Sequence, residues 1–215
     1  MAPVNRSKTP STGFLWADHP FIRLNVDTIG PLNTDNEGNK YVLVFVDSFT
    51  GYTILVPLKE LNALETADAL IWIVCAIFGI HMLIHSDNGP KFTNETFKIV
   101  CNTLAIEMSN SIPHYSESNG LVERRHRDVL QCLRKLLIDF NDYGNWSTYV
   151  PISQLLINST KSRKTGFTLY ELMFGSSISL RTDSANILGN LSKVETYIPL
   201  LDDIKYLSTS KKGRC

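Results

Sequence analysis

Five consecutive apolar residues, Val42-Leu43-Val44-Phe45-Val46, constrain the fold more than any other feature of this chain. A strand that is apolar on both faces needs a cover on each side, so it belongs inside a sheet with helices above and below. Turn-forming residues bound it, Asn33–Asn39 before and Ser48–Gly51 after. Beyond those turns lie two more apolar segments, Phe21–Val26 and Tyr52–Val56, and the three together predict an antiparallel meander.

Downstream the hydrophobic period changes. Asn62 followed by Glu65 has the form of a capping box and Gly79 that of a helix stop, which predicts a helix between them. A short strand over His81–His85 follows and runs into the turn cluster Ser86–Pro90, completing a strand–helix–strand unit with parallel strands. The pattern then predicts a helix over Thr93–Cys101 and a small edge strand over Ala105–Met108. Next comes a long amphipathic helix capped by Asn119, with Val122, His126, Val129, Leu130, Leu133, Leu137 and Phe140 on its apolar stripe. Helices over Trp146–Asn158 and Leu169–Phe174 close the series. The order βββ-α-β-α-β-α-α-α reads as an α/β fold with a mixed sheet of five strands flanked by helices. Three divisions follow: a Pro-, Ser- and Thr-rich lead-in over 1–17, a folded core over 18–176, and a C-terminal extension over 177–215. The last ends in Lys211-Lys212-Gly213-Arg214-Cys215, more like a cut end than a finished domain.

Charge narrows the function. Twenty-one Lys and Arg balance 21 Asp and Glu, so a uniformly basic coat or an acidic tail is excluded, and nucleic-acid binding must come from a local patch. Cys75, Cys101, Cys132 and Cys215 are spaced too widely for a zinc knuckle and read as free thiols of a reducing compartment. No secretory signal is visible, and the apolar run Ala69–Ile84 is too short and interrupted for a membrane span.

Three acidic residues sit against apolar elements. Asp27 follows Arg23–Val26, Asp87 follows Leu83–Ser86, and Glu123 lies at the border of the apolar stripe. If the two strands are parallel neighbours, both aspartates emerge at the strand ends where open α/β sheets gather their chemistry. A strand-end aspartate alone is more often a turn former. Three converging carboxylates would repel one another unless divalent cations neutralised them, and hard oxygen donors suit Mg²⁺ or Mn²⁺. Two such ions about 3.5–4 Å apart serve phosphoryl transfer. Arg124, Arg127, Gln131 and Lys135 recur on the helix face away from the stripe, a spacing suited to DNA phosphates and equally to an ordinary solvated face. Asn119 could both cap the helix and contact DNA. Lys161, Arg163 and Lys164 form a second basic cluster that reads as solvated. Asp47 opens a turn and reads as structural, and His85 and His114 have no partner set for zinc.

These residues resemble the Asp-Asp-Glu pattern of retroviral and LTR-retrotransposon integrases, with 35 residues between Asp87 and Glu123. The surrounding words carry the resemblance: Phe21-Ile22-Arg23-Leu24-Asn25-Val26-Asp27-Thr28-Ile29-Gly30-Pro31-Leu32, Val44-Phe45-Val46-Asp47-Ser48-Phe49-Thr50-Gly51-Tyr52, His85-Ser86-Asp87-Asn88-Gly89-Pro90-Lys91-Phe92 and Ser118-Asn119-Gly120-Leu121-Val122-Glu123-Arg124. Trp146, Asn158 and Thr165–Gly175 are similar to the tail of gypsy-type cores. The resemblance spans about residues 16–176 and implies an RNase H-like fold, with Asp27, Asp87 and Glu123 as ligands of Mg²⁺ or Mn²⁺. It implies a polynucleotidyl transferase that trims element DNA 3′ ends and joins them to target double-stranded DNA in the nucleus, commonly as a homo-dimer or higher multimer. Tyr115-Ser116-Glu117 departs from the family's His-Pro-Gln, and Thr168-Leu169 from its Ser/Thr-Pro. The zinc domain that usually precedes such cores has no counterpart in this sequence. A domesticated core that binds nucleic acid or protein without catalysis is the alternative.

Overall fold

In the computed structural model, residues 18–87, 89–110, 116–162 and 165–177 are described, with the backbone alone for residues 110 and 116–119. The apolar run forms the middle of β2 (Tyr41–Asp47), which pairs antiparallel with both β1 (Arg23–Ile29) and β3 (Thr53–Leu58). On its other side β1 pairs parallel with β4 (Leu83–Ser86), and β4 with β5 (Glu107–Asn110). The sheet order is β3-β2-β1-β4-β5, a mixed five-stranded sheet.

The alternation of a strand explains the two cores. Leu43 and Phe45 join Leu24, Val26 and Ile84 on one face, under α1 (Ala63–Asp68), a π-helical continuation (Ala69–Cys75), α2 (Ala76–Phe78), α3 (Pro90–Thr93) and α4 (Glu95–Thr103). Val42, Val44 and Val46 join Ile29 and Leu55 on the other face. There they meet α5 (Ser116–Phe140), a 3-10 turn (Trp146–Tyr149), α6 (Val150–Ser159) and Leu169 of α7 (Leu169–Phe174). Every residue from Val42 to Val46 is fully buried, and burial of this kind stabilises by about 25 cal/mol per Å² of apolar surface.

Several boundaries differ from the sequence expectation, each for a local reason. Phe21 has φ 69°, which no strand tolerates, and Ala105 has φ 54°, so β1 and β5 begin later than the apolar pattern does. β1 also runs past Asp27 to Ile29, because β2 goes on pairing with it through Ile29↔Val42. Asn94 is extended and caps α4 by accepting from Phe97 N at 2.9 Å, so the helix expected over Thr93–Cys101 begins at Glu95, and the short α3 before it was not expected. Asn62 does cap α1, accepting from Glu65 N at 2.9 Å, but the capping box is not closed. Glu65 Oε2 turns instead to the amides of Lys59 and Glu60, at 3.2 and 3.3 Å. The reciprocal box forms at Thr168 and Glu171.

The long helix starts at Ser116, so Asn119 lies in its first turn and is not its cap. Ser and Glu are favourable at a helix start, which lets the helix begin ahead of Asn119. On this helix Leu136 is fully buried and Leu130 is exposed, the reverse of the predicted stripe at those two positions. The lead-in 1–17, the extension beyond residue 177, His114, Tyr115, Arg163, Lys164 and Cys215 lie outside the described residues. Among the described residues no helix is long and apolar enough to cross a membrane.

Candidate active site

Strand register brings two of the three acids together. The parallel pairing Asn25↔His85 and Val26↔Ser86 puts Asp27 and Asp87 next in line on adjacent strands. Alternation then fixes the face. Val26 and Ile84 point into the core under α1 and α4, so Asn25, Asp27 and His85 point the other way, toward α5. Glu123 comes from α5, next to Val122, which is buried and lines the same cleft. Asn25, Val26, Asp27, His85, Ser86, Asp87, Val122 and Glu123 line one cleft of about 220 Å³.

The carboxylates are only partly satisfied by the protein. Asp27 Oδ1 accepts from Thr28 N at 2.7 Å, while Oδ2 faces His126 Nε2 at 3.4 Å. Asp87 Oδ1 accepts from Gly89 N at 3.0 Å, and Oδ2 faces Lys91 Nζ at 3.7 Å. Gly89 lets the Asp87 carboxylate fold back closely, since a Cβ at that position would lie 2.9 Å from Asp87 Oδ1 and the carboxylate would have to turn aside. The Asp27 and Asp87 side chains are 33% and 51% exposed, open to the cleft. Burial pushes the His126 imidazole pKa down and Lys91 adds to this, against opposing pulls from Asp27 and Glu123. Burial also lowers His85, whose Nδ1 has no hydrogen-bond partner among the described residues. Asn25 Oδ1, on the same cleft wall, has none either.

This donor set fits a hard divalent cation in its chemistry: carboxylate oxygens with an amide oxygen nearby, and no thiolate. Asp27, Asp87 and Glu123 are the residues that would hold it. As they stand, no three or more His, Cys, Asp or Glu side chains among the described residues are gathered tightly enough to bind an ion. Nitrogen groups occupy the places beside Asp27 and Asp87 instead.

Around the cleft, Arg124, Arg127, Gln131 and Lys135 all lie exposed on α5, so the row predicted from spacing is an accessible face. The Asn119 side chain lies outside the described residues. Arg125 points inward, paired with Asp128 at 2.9 Å and packed against the Gly51 turn, where a Cβ would come within 3.0 Å of its Nη2. Lys91 and His126 were not singled out as site residues by the sequence. Their spacing was the available signal: Lys91 stands four residues after Asp87, and His126 three after Glu123, one helical turn on.

The sheet order and cleft define a class, the RNase H-like α/β domain. HTLV-2 integrase catalytic core domain, in its dimeric form with magnesium, superposes with a TM-score of 0.62 at 22% identity, over 74% of this chain and 99% of that one. Residues 17–116 match the family model "Integrase core domain". The Pro-Pol polyprotein of simian foamy virus type 3 is 35% identical over 167 residues, 78% of this chain and 14% of that protein. The retrovirus-related Pol polyprotein from transposon 412 of Drosophila melanogaster is 28% identical over 203 residues, 94% of this chain and 16% of that protein. The chain thus spans about a seventh of the length of these relatives. Its match to the integrase core domain lies over residues 17–116, and the relatives it resembles are Pol polyproteins of retroviruses and of a retrovirus-related transposon.

Proposed function

We propose that this chain is the catalytic core, over residues 18–176, of a retrotransposon-type integrase that inserts element DNA into target DNA. The observation that carries this reading is the delivery of Asp27, Asp87 and Glu123 from three separate elements to one cleft. The reaction class is transesterification at phosphorus. An oxygen nucleophile, water for 3′-end trimming or a DNA 3′-hydroxyl for joining, forms a new P–O bond as the bond to the departing DNA 3′ oxygen breaks. A divalent cation, Mg²⁺ or Mn²⁺ and in this reading two of them, activates the attacking oxygen and steadies the leaving one when bound.

The chain's own residues supply placement. Asp27 and Asp87 are fixed by adjacent strands, while Glu123 is carried on a helix that packs against the sheet through Val129, Leu133 and Leu136. The exposed row Arg124, Arg127, Gln131 and Lys135 contacts phosphates without reading sequence, with Asn119 near the start of the same helix. Arg125 does not belong to that row, because its guanidinium is tied to Asp128. Homo-dimerisation is part of the proposal. Trp72 and Ile77 are exposed on the helical run after Asp68 at 68% and 66%, and the HTLV-2 core is described in a dimeric form. Action on chromosomal DNA places the protein in the nucleus.

The test incubates the purified chain with Mn²⁺ and a branched DNA that mimics the joined product, beside Glu123→Gln. Resealing of the branch that requires metal and is reduced at least about 100-fold in the variant supports the reading. Neither resealing nor Mn²⁺ binding in the wild-type chain refutes it and leaves a core that binds without catalysis.

A further inference from the structure

The Asp87 carboxylate does not face the cleft alone. Pro90 opens α3 directly after the turn, and Lys91 follows with its Nζ 3.7 Å from Asp87 Oδ2. The ammonium also acts across the cleft, where it helps to push His126 down. Lys91 is not a solvated surface lysine. Its side chain is only 11% exposed, and its Nζ lies 4.9 Å from the centroid of the Phe92 ring, which is itself fully buried. Holding a long cationic side chain this far out of water costs rotamer entropy and hydration. The Asp87 carboxylate 3.7 Å away offsets part of that cost.

We infer that Lys91 is the resident counter-ion of this cleft. Its ammonium neutralises Asp87 until a divalent cation takes that place, and once displaced it becomes a contact for a phosphate of bound DNA. The inference rests on the metal-site reading of Asp27, Asp87 and Glu123 and deepens it. A hard divalent ion bound through Asp87 Oδ2 competes with the Lys91 ammonium, which lies 3.7 Å from that oxygen. The lysine stem is flexible enough to swing its head outward while its methylenes stay on Phe92. A phosphodiester that reaches Asp27 and Asp87 passes close to Lys91, whose Nζ lies 3.7 Å from Asp87 Oδ2, so the freed ammonium meets backbone charge there.

The experiment compares wild type with Lys91→Gln, Lys91→Met and Lys91→Arg, all without DNA, and measures Mn²⁺ binding by calorimetry. Lys91→Met keeps an apolar stem against Phe92, and thermal melts establish that each variant is folded. The neutral variants are expected to bind Mn²⁺ about three- to tenfold more tightly, the range a partly shielded ion pair near 4 Å supports. Lys91→Arg is expected to keep the wild-type value. In DNA titrations the neutral variants lose about one unit of slope in log affinity against log salt. Unchanged or weaker Mn²⁺ binding in folded Lys91→Gln and Lys91→Met, with wild type binding normally, overturns the counter-ion role and leaves the metal reading standing. An absence of Mn²⁺ binding in wild type and neutral variants alike overturns both.

Discussion

Asp47 ends β2 much as Asp87 follows β4, yet its oxygens are filled. Oδ1 accepts from Thr50 N and Thr50 Oγ1, both at 2.8 Å, and Oδ2 accepts from Phe21 N at 3.0 Å. The residue is 1% exposed. Asp27 and Asp87 instead spend one oxygen each on a neighbouring amide and turn the other to a side-chain nitrogen, His126 Nε2 at 3.4 Å and Lys91 Nζ at 3.7 Å. The number of fixed donors around each carboxylate, and not its place near a strand end, separates a turn aspartate from a site aspartate. Asp47→Ala is expected to cost about 3 kcal/mol in urea unfolding, because hydrogen bonds to a charged buried acceptor are worth more than neutral ones. Mn²⁺ binding at the cleft should persist in the folded variant, and its loss there would break the distinction. The motif words around Asp27, Asp87 and Glu123 were legible because each acid sits at a definite position in a strand or helix. Lys91 and His126 were not, since their role depends on where two long side chains turn in space.

At the scale of elements, β3 and β5 are the two edges of the sheet, and an open edge invites pairing with another chain. The β3 edge is closed by side chains of α6. Asn158 donates to Thr53 O at 2.7 Å and accepts from Thr53 N at 2.9 Å, and Gln154 Oε1 accepts from Leu55 N at 2.7 Å. Two amide side chains one helical turn apart thus stand in for a neighbouring strand, and Pro57 follows where no donor is wanted. Asn158→Ala is expected to destabilise by about 2 kcal/mol, since it leaves buried backbone groups of Thr53 unpaired. The double variant with Gln154→Ala should also raise light scattering on mild heating. A double variant that stays as clear and as stable as wild type would show that α6 covers the edge by packing alone. Helices were legible where capping residues bound them, and α7, between Thr168 and Gly175, matched its predicted span Leu169–Phe174. Strand starts were not, because positive φ at Phe21 and Ala105 depends on the turns that surround them and leaves no mark in an apolar pattern.

Across the whole molecule, acid acts through histidines that the fold keeps neutral. His81, His85 and His126 sit respectively before β4, in β4 and on α5, and burial lowers the pKa of each below the ordinary 6.5. His81 is the most enclosed, 1% exposed, with its ring 5.5 Å from that of Phe21. Asp47 and the Gly79 backbone pull its pKa back up, but burial prevails. Neither ring nitrogen makes an aligned hydrogen bond. The folded chain therefore refuses protons that the unfolded chain accepts, so between the unfolded value near 6.5 and the lower folded values stability rises with pH. Above about pH 6.5 the three contribute no pH dependence, and below it each removes up to about 1.4 kcal/mol per pH unit. Against a total stability of about 5–15 kcal/mol for a domain of this kind, that sum is large. Urea unfolding at pH 7.5, 6.5 and 5.5 should show a plateau and then a fall. His81→Phe, which keeps a ring against Phe21 and carries no proton, should match or exceed wild type at pH 7.5 and fall less steeply below pH 6.5. An unaltered slope in His81→Phe would mean that His81 takes up its proton in the folded state, and that the acid response comes from the cleft histidines and the carboxylates.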